Sequence, residues 1–511
     1  MSMGRKRPIF YNALMLTGVN LLLRLVSTAF QVFISGQIGA AGVGLLQLVL
    51  SVASMTMTAG MAGIRTTAMY LSAEELGKGK VQNVTWVLSG CFLYSLVFGC
   101  AVGGAVFGFA PWIAECWIGD MRTVGAIRLF AAFLPVSCFV GIMVGYFTAA
   151  NRIGTLAAVE VAEQICTMTV TACLLVCWAE ADVGKACQSV ICGSCVGSLL
   201  MLACLVILRL REKQSVGTRI PVAKRLAETA LPLAAADDLK VGINTVENMM
   251  VPKRLALFTG TGNALAQFGI VCGMVFPVIM FPAAILFGLA DLLIPEMARC
   301  NASGGAQRIR YLARRTLRVA MIYGLICGGI LFLYAEPICM RLYKSREGVT
   351  FLRWYALLIP MLYCDLVVDA MNKGLGKQKI CVRNNILTAL MDVLGLYVLL
   401  PRMGMEGYFV SFLVSHLVNL LLSVGLLLKT AGIRIRIWVP LAALAIGAGA
   451  LGITGMAENS PATGPFYLLI LGAGMFLAGI LRHEDVRWLR GLFASEKKRK
   501  KQDFYKKVFD K

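Results

Sequence analysis

Apolar runs of spanning length recur along the whole chain, each parted from the next by a short polar or glycine-bearing stretch. A helix needs about 20 such residues to cross a bilayer core of about 30 Å, because each residue advances its axis by about 1.5 Å. Runs of this kind begin near Ile9, Val43, Val84, Val124, Thr155, Ala186, Leu226, Ala264, Leu317, Val349, Asn385, Gly407, Ile437 and Gly464. The pattern predicts an all-α, polytopic membrane protein of about 14 transmembrane helices. No stretch between the runs is long enough for an extramembrane domain. The first run follows a basic N-terminus, as a signal peptide would. It extends to about Ser35 without a convincing cleavage site and is read as a retained first helix.

Function is expected where polarity is costly. An ionised side chain at mid-bilayer costs on the order of 2.5–3.5 kcal/mol on insertion scales, so it faces a cavity or a partner. Several runs carry polar residues at helical spacing, which puts them on one face. The first holds Asn20, Arg24, Ser27, Thr28 and Gln31; the second holds Gln47, Ser51, Ser54, Thr58 and Arg65. The fifth holds Glu160, Glu163, Gln164, Thr167 and Thr171, and the seventh Asp237, Asp238, Lys240, Asn244, Glu247 and Asn248. The tenth has Asp365, Asp369 and Asn372, the eleventh Asn385, Thr388 and Asp392. The last two runs are almost free of such residues and are expected to face lipid. These stripes imply a water-filled central cavity lined by Arg24, Arg65, Asn20, Gln31, Glu163, Asn244, Glu247 and Asn248. Asp237, Asp238 and Lys240 are candidates for ion or proton coupling, or else a structural cluster that neutralises itself. Ser and Thr in such stripes also serve helix packing and back-bonding. Pro135, Pro232, Pro277, Pro282 and Pro360 fall inside runs and are expected to bend them, most strongly between Pro277 and Pro282.

Composition narrows the class. The chain is 58% hydrophobic and only 15% charged, where soluble chains carry about 25%. Its net charge of +22 invites a nucleic-acid reading, but most Lys and Arg fall in alternate loops, as the positive-inside rule requires. That places both termini in the cytoplasm and the chain in a plasma membrane. A polar, basic connector at Arg209–Arg225 divides the spans into six and eight. An internal echo supports two similar halves: Leu134-Pro135 precedes Asn151-Arg-Ile-Gly154, as Ile359-Pro360 precedes Lys373-Gly-Leu-Gly376. The expected layout is a six-helix lobe over 1–208, a cytoplasmic connector over 209–225 and a second six-helix lobe over 226–430. Two further helices over 431–481 and a basic amphipathic tail over 482–511 complete it. Arg308–Arg318 and the tail after Arg482 read as segments lying on the membrane, held by anionic headgroups. The 17 cysteines lie almost all within spans and read as small apolar packing residues. With two histidines no zinc site is expected, nor any cofactor; no phosphate-binding Gly-rich loop and no nucleophile–base pair points to an enzyme.

Several segments resemble the stage V sporulation protein B-like family. These are Asn20-Leu-Leu-Leu-Arg24-Leu, Ile38-Gly-Ala-Ala-Gly-Val-Gly-Leu45, Thr58-Ala-Gly60, Leu231-Pro-Leu233, Glu247-Asn-Met-Met-Val-Pro-Lys-Arg-Leu255, Phe268-Gly-Ile-Val-Cys-Gly-Met274 and Phe281-Pro282. The likeness covers about 480 residues. The family sits in the polysaccharide-flippase branch of the multidrug/oligosaccharidyl-lipid/polysaccharide exporters, with the lipid II flippases. It implies two six-helix lobes around a cavity, alternating access, and export of an undecaprenyl-linked sugar, with Arg24 matching a cavity arginine. Gln31 departs from the pattern, since many relatives carry a second basic residue there; Arg65 rests on the stripe argument alone. The expected function is a flippase for a lipid-linked pyrophosphate glycan such as a peptidoglycan or polysaccharide precursor, with membrane lipids and cell-wall synthesis enzymes as partners. The alternative is a cation- or proton-coupled multidrug antiporter, for which Asp237, Asp238 and Glu247 would bind the cation.

Overall fold

The computed structural model describes residues 6–78, 80–179, 182–212, 222–302, 304–432, 438–455 and 463–481, with the backbone alone for 6–21, 77, 81, 153, 222–225, 227–229, 231–233, 236, 291 and 292. The tail expected after Arg482 and the side chains of Asn20 and Pro232 lie outside the described residues.

Nearly all the described residues are helical. α1 (Lys6–Met61) holds the first two spans, divided at Gly39 where φ is 69°, and α2 (Ile64–Gly77) continues the second. Spans three to six are α3 (Val84–Trp112), α4 (Val124–Ala149), α5 (Ile153–Cys177) and α6 (Val183–Leu210). The seventh is α7 (Val222–Thr259). The eighth is α8 (Thr261–Ile270) joined through a π-helical turn, Val271–Val275, to α9 (Phe276–Ala302). α10 (Ala306–Leu333) is the ninth, and a short α11 (Ala335–Leu342) leads to α12 (Arg346–Ala356) and α13 (Ile359–Gly374), which form a tenth span bent by 53°. α14 (Gln378–Met403), α15 (Met405–Ala431), α16 (Trp438–Gly455) and α17 (Thr463–Leu477) complete the 14. α7 is too polar to pass as a span on hydropathy alone, which its Asp237, Asp238 and Lys240 explain.

The two lobes are built from one plan. In the first, α3 and α2 pack on α4, and α5 on α6; in the second, α10 and α9 pack on α13, and α14 on α15. Close helix approach needs glycine where a Cβ would strike the neighbouring backbone. A Cβ on Gly99 would lie 3.3 Å from Pro135 Cα, and one on Gly103 2.6 Å from the Ala131 carbonyl oxygen. In the second lobe Gly324 would meet Pro360 Cα at 2.6 Å, and Gly328 the Ala356 oxygen at 2.7 Å. All four positions recur at an interval of 225 residues (324 − 99, 328 − 103, 360 − 135 and 356 − 131). The same interval relates the positive-φ turn residues Gly119 and Lys344, and Asn151 and Gly376. It also relates the first residues of α5 and α14.

Some expectations change. Arg308–Arg318 is the opening of the continuous helix α10, not a separate segment lying on the membrane. At about 1.5 Å per residue, 28 residues reach about 42 Å, more than a core of about 30 Å, so the helix is long enough to cross the core and carry its basic turns into the headgroup layer. The helices stay continuous through Pro135 and Pro282. The sharp bend is just before Pro360, and the eighth span runs on through Pro277 and Pro282 as one helical stretch, with a π-helical turn just before Pro277. Of the connector expected at Arg209–Arg225, both ends are helical. Leu226 of α7 packs among Ile64, Val84 and Leu205 of the first lobe.

Away from the face that carries the basic turns, the lobes meet at α1 with α7 and α8. A Cβ on Gly269 would sit 2.6 Å from the Gly44 amide nitrogen, so the two helices cross in close contact there. A π-helical turn leaves a carbonyl unmatched. Each lobe has one such turn whose carbonyl takes a donor from the other lobe. Gln31 Nε2 donates to Gly273 O at 3.1 Å, and Lys253 Nζ donates to Cys116 O in the turn Ile113–Ile118. Asn248 Nδ2 donates to Ser51 Oγ at 3.0 Å, and Thr245 Oγ1 to Ser51 O at 3.3 Å. α16 and α17 pack on α10, where the Tyr467 ring lies over Gly329 and its hydroxyl donates to Leu325 O at 2.8 Å.

Candidate functional site

Arg24 sits midway along the first span, half-buried, with its guanidinium 4.7 Å from the ring centroid of Phe287 across the lobe boundary. Among the described residues no carboxylate pairs with it. Thr28, from the same stripe, donates back to the Arg24 carbonyl at 2.9 Å and is a back-bonded helix residue. Arg65 owes its place to a break in the second span. Ala62 and Gly63 take φ of 41° and 70°, and α2 restarts with Arg65 in its first turn. Gly145 of α4 lets α2 lie close, since a Cβ there would be 2.6 Å from the Arg65 carbonyl oxygen. Arg65 is exposed and lines a cavity of about 320 Å³ with Glu160, Glu163, Gln164 and Ser137. Glu163 accepts from Thr167 Oγ1 at 3.3 Å. Glu160 and Glu163 are half-buried there, facing the one arginine that lines the cavity.

The second lobe holds a larger cavity of about 430 Å³. Asn244, Glu247 and Asn248 enter from α7, Asn385, Thr388 and Asp392 from α14, and His416 and Asn419 from α15; Gln47 of the first lobe closes one side. Phe268, Phe276, Tyr408 and Phe412 supply its apolar wall. Asp392 is held by Ser411, whose hydroxyl donates to Oδ1 at 2.6 Å. His416 stacks on Phe412 with ring centroids 3.8 Å apart. Among the described residues no Lys or Arg lines this cavity, and Glu247 and Asp392 are its carboxylates. The cavities are related by the repeat: Asn385 and Thr388 stand 225 positions after Glu160 and Glu163.

The expected site residues therefore part into groups. Asn244, Glu247 and Asn248 meet in the larger cavity, Arg65 and Glu163 in the smaller, and Arg24 lies between the lobes. Gln31 spends its amide on the contact with Gly273, and Asn248 shares its own with Ser51. Asp237 and Lys240 are exposed, Asp238 half-buried, and none of the three lines either cavity. Among the described residues no ion pair joins them, so the cluster that neutralises itself is not formed. Two cavity residues outside the expected set are Asp392 and His416. Asp392 was visible in the polar stripe of the eleventh run; His416 had only its mid-span position as a signal.

The arrangement thus offers Arg24 at the lobe boundary, Arg65 beside two carboxylates in the first lobe, and carboxylates without a cation among the described lining residues of the second. Guanidinium pairs phosphate oxygens through its planar fork, and buried carboxylates among neutral oxygens attract a cation or a proton. Comparisons with known proteins agree with the fold. Stage V sporulation protein B of Bacillus subtilis (strain 168) is 21% identical over 444 residues, covering 84% of this chain and 86% of that protein. A structure of the lipid II flippase MurJ in an inward closed conformation superposes with a TM-score of 0.65 at 12% identity, over 93% of this chain and 99% of that one. An inward-facing multidrug resistance MATE family transporter of the MOP superfamily gives 0.63 at 12% identity, over 86% and 99%. The family model for the lipid II flippase MurJ matches residues 82–458, and the chain belongs to that family.

Proposed function

We propose that the protein flips a lipid-linked, pyrophosphate-bearing glycan, a peptidoglycan or polysaccharide precursor, across the bacterial plasma membrane by rocking its two lobes. The observation that carries this reading is Arg24: a mid-span guanidinium with no carboxylate partner among the described residues, held on an aromatic face at the lobe boundary. A permanent charge at that depth is retained for an anion, and a pyrophosphate on a lipid supplies one. Arg65 adds a second guanidinium, shared with Glu160 and Glu163, and the polar cavity walls suit a sugar. In this reading the basic face and both termini are cytoplasmic, and the lobes in this structure are closed at the outer face. The coupling cation goes to Glu247 and Asp392 in the second-lobe cavity, in place of Asp237, Asp238 and Lys240.

The cation-antiporter reading draws on the same carboxylate cavity, and one experiment separates the two. Arg24→Ala removes charge and fork, and exposure of lipid II at the outer leaflet should fall by one to two decades, since a charge-assisted hydrogen bond contributes roughly 1.5–3 kcal/mol. Arg24→Lys should keep partial activity. An exporter of organic cations predicts export unchanged or improved in Arg24→Ala. Full lipid exposure by Arg24→Ala at normal protein level returns Arg24 to a packing role.

A further inference from the structure

α13 carries a polar ladder, part of which joins it to α15. Asp365, Asp369 and Asn372 lie four and three residues apart, which puts them on one face. Asp365 Oδ2 accepts from Asn419 Nδ2 at 2.9 Å, and Asn419 Oδ1 accepts from the Thr388 hydroxyl at 3.4 Å; Asn419 and Thr388 both line the second-lobe cavity. At the other end Asp369 pairs with Lys373 at 2.6 Å, on the basic face. Asn372 is fully buried, and its amide donates to Ser423 O at 2.9 Å. A connected polar seam thus runs from the cavity to the basic face between α13, α14 and α15.

Two independent observations say that this seam holds something. Asp365 Oδ1, Asp369 Oδ1 and Asn372 Oδ1 are all buried and all without a hydrogen-bond partner. Three acceptors on one face call for donors or a cation, because a buried polar atom left unmatched is costly. The repeat supplies the second observation. The first-lobe counterparts 225 positions earlier are Val140, Val144 and Phe147, so the same helix packs there with apolar side chains. Val140 and Val144 line the smaller cavity, so this part of the architecture encloses space in both lobes.

We propose that α13, α14 and α15 form a relay for a small monovalent cation, hydronium or sodium, between the cytoplasm and the second-lobe cavity, with Asp365 and Asp369 as its stations. It rests on the reading of that cavity as the coupling site. The charged or titratable groups around the path are Asp369 and Lys373 of α13, Cys381 and Asp392 of α14, and His416 of α15. Glu296 of α9, near the basic face, is taken up by Arg308 and Arg299.

The test uses the full chain in proteoliposomes, with a fluorescent undecaprenyl-pyrophosphate sugar as the lipid probe and a sodium or a pH gradient imposed separately. Asp365→Val with Asp369→Val installs the first-lobe residues and should leave abundance normal. The gradient-driven part of flipping should fall at least tenfold while gradient-free exchange of the lipid persists. The gradient that drives the native chain identifies the ion. Asp369→Glu should restore the response; if the double variant is not produced, the isosteric Asp369→Asn is read instead. A full gradient response in these variants overturns the relay. So does an equal fall in driven and undriven flipping that Asp369→Glu does not rescue, since that is a structural role. Glu247→Gln separates this from failure of the cavity assignment. If Glu247→Gln abolishes the response and the α13 variants keep it, the relay alone is wrong; if Glu247→Gln also keeps it, the coupling site lies elsewhere.

Discussion

Gly269→Ala is a direct probe of the outer closure. The added Cβ would stand 2.6 Å from the Gly44 amide nitrogen and closer still to the Ala40 carbonyl oxygen. Non-bonded atoms prefer about 3.5–4.0 Å, so α1 and α8 must part by roughly 1 Å or more. Both offending atoms are backbone, with no side chain to swing away. Overpacking of this kind costs typically 1–3 kcal/mol. The penalty falls on the closed arrangement alone, because the contact exists only while the lobes meet there. It should therefore shift the closed-to-open ratio by roughly 5- to 150-fold toward the outward-open form, without unfolding the protein. Spin labels at Met121→Cys and Met403→Cys, exposed outer-turn positions of the two lobes on a cysteine-free background, report the change. Double electron–electron resonance should show a longer population in Gly269→Ala. An unchanged distance distribution at normal abundance would falsify the closure argument.

Three further outcomes are expected. Glu212 binds Arg152 and Arg209 at 2.6 Å each and accepts from the Tyr146 hydroxyl at 2.6 Å, so Glu212→Gln should strand the buried Arg209. The loss should be about 3 kcal/mol, the low end for breaking a buried pair, and a thermal midpoint equal to the native one would refute it. Tyr467→Phe keeps the ring over Gly329 but loses the bond to Leu325 O, about 1 kcal/mol; Tyr467→Ala should cost about 3–5 kcal/mol and loosen α17 to protease, and equal resistance of the two variants would count against the contact. Ser215→Cys, in the connector outside the described residues, should resist an impermeant reagent added to whole cells; labelling from outside would reverse the topology.

Hydropathy made the span pattern legible because it records contact with lipid, and the described part of each expected run is helical. It is blind to contacts between distant helices. Gln31 carried the signal of a cavity residue, yet it satisfies itself on the other lobe at Gly273, while Asn248 lines the larger cavity and also bonds Ser51 across the lobes. A polar group in a span needs a partner, and the sequence does not say whether that partner is a ligand or a neighbouring helix. Arg308–Arg318 misled for a related reason, since a helix that protrudes into the headgroup layer has the same composition as one lying in it. The Leu134-Pro135 and Ile359-Pro360 echo was visible. Its meaning was not, because the partners Gly99 and Gly324 lie on another helix and glycine is common in every span. His416 offered only its mid-span position, and one such imidazole looks the same whether it packs or faces a cavity.

The last helix pair is fixed to α10 through Tyr467 and Tyr334, whose hydroxyl accepts from the Gly464 amide at 3.1 Å, and α10 belongs to the second lobe. In the proposed rocking the pair would move with that lobe. A polyprenyl chain resting along α16 or α17 would be carried by one lobe while its charged head sits against an arginine of the other. Each stroke would then change the separation between head and tail anchors, and only a long, supple chain could take up that slack. On this view the length and flexibility of the carrier lipid are matched to the stroke, and a short or stiff lipid would hold the lobes in one posture.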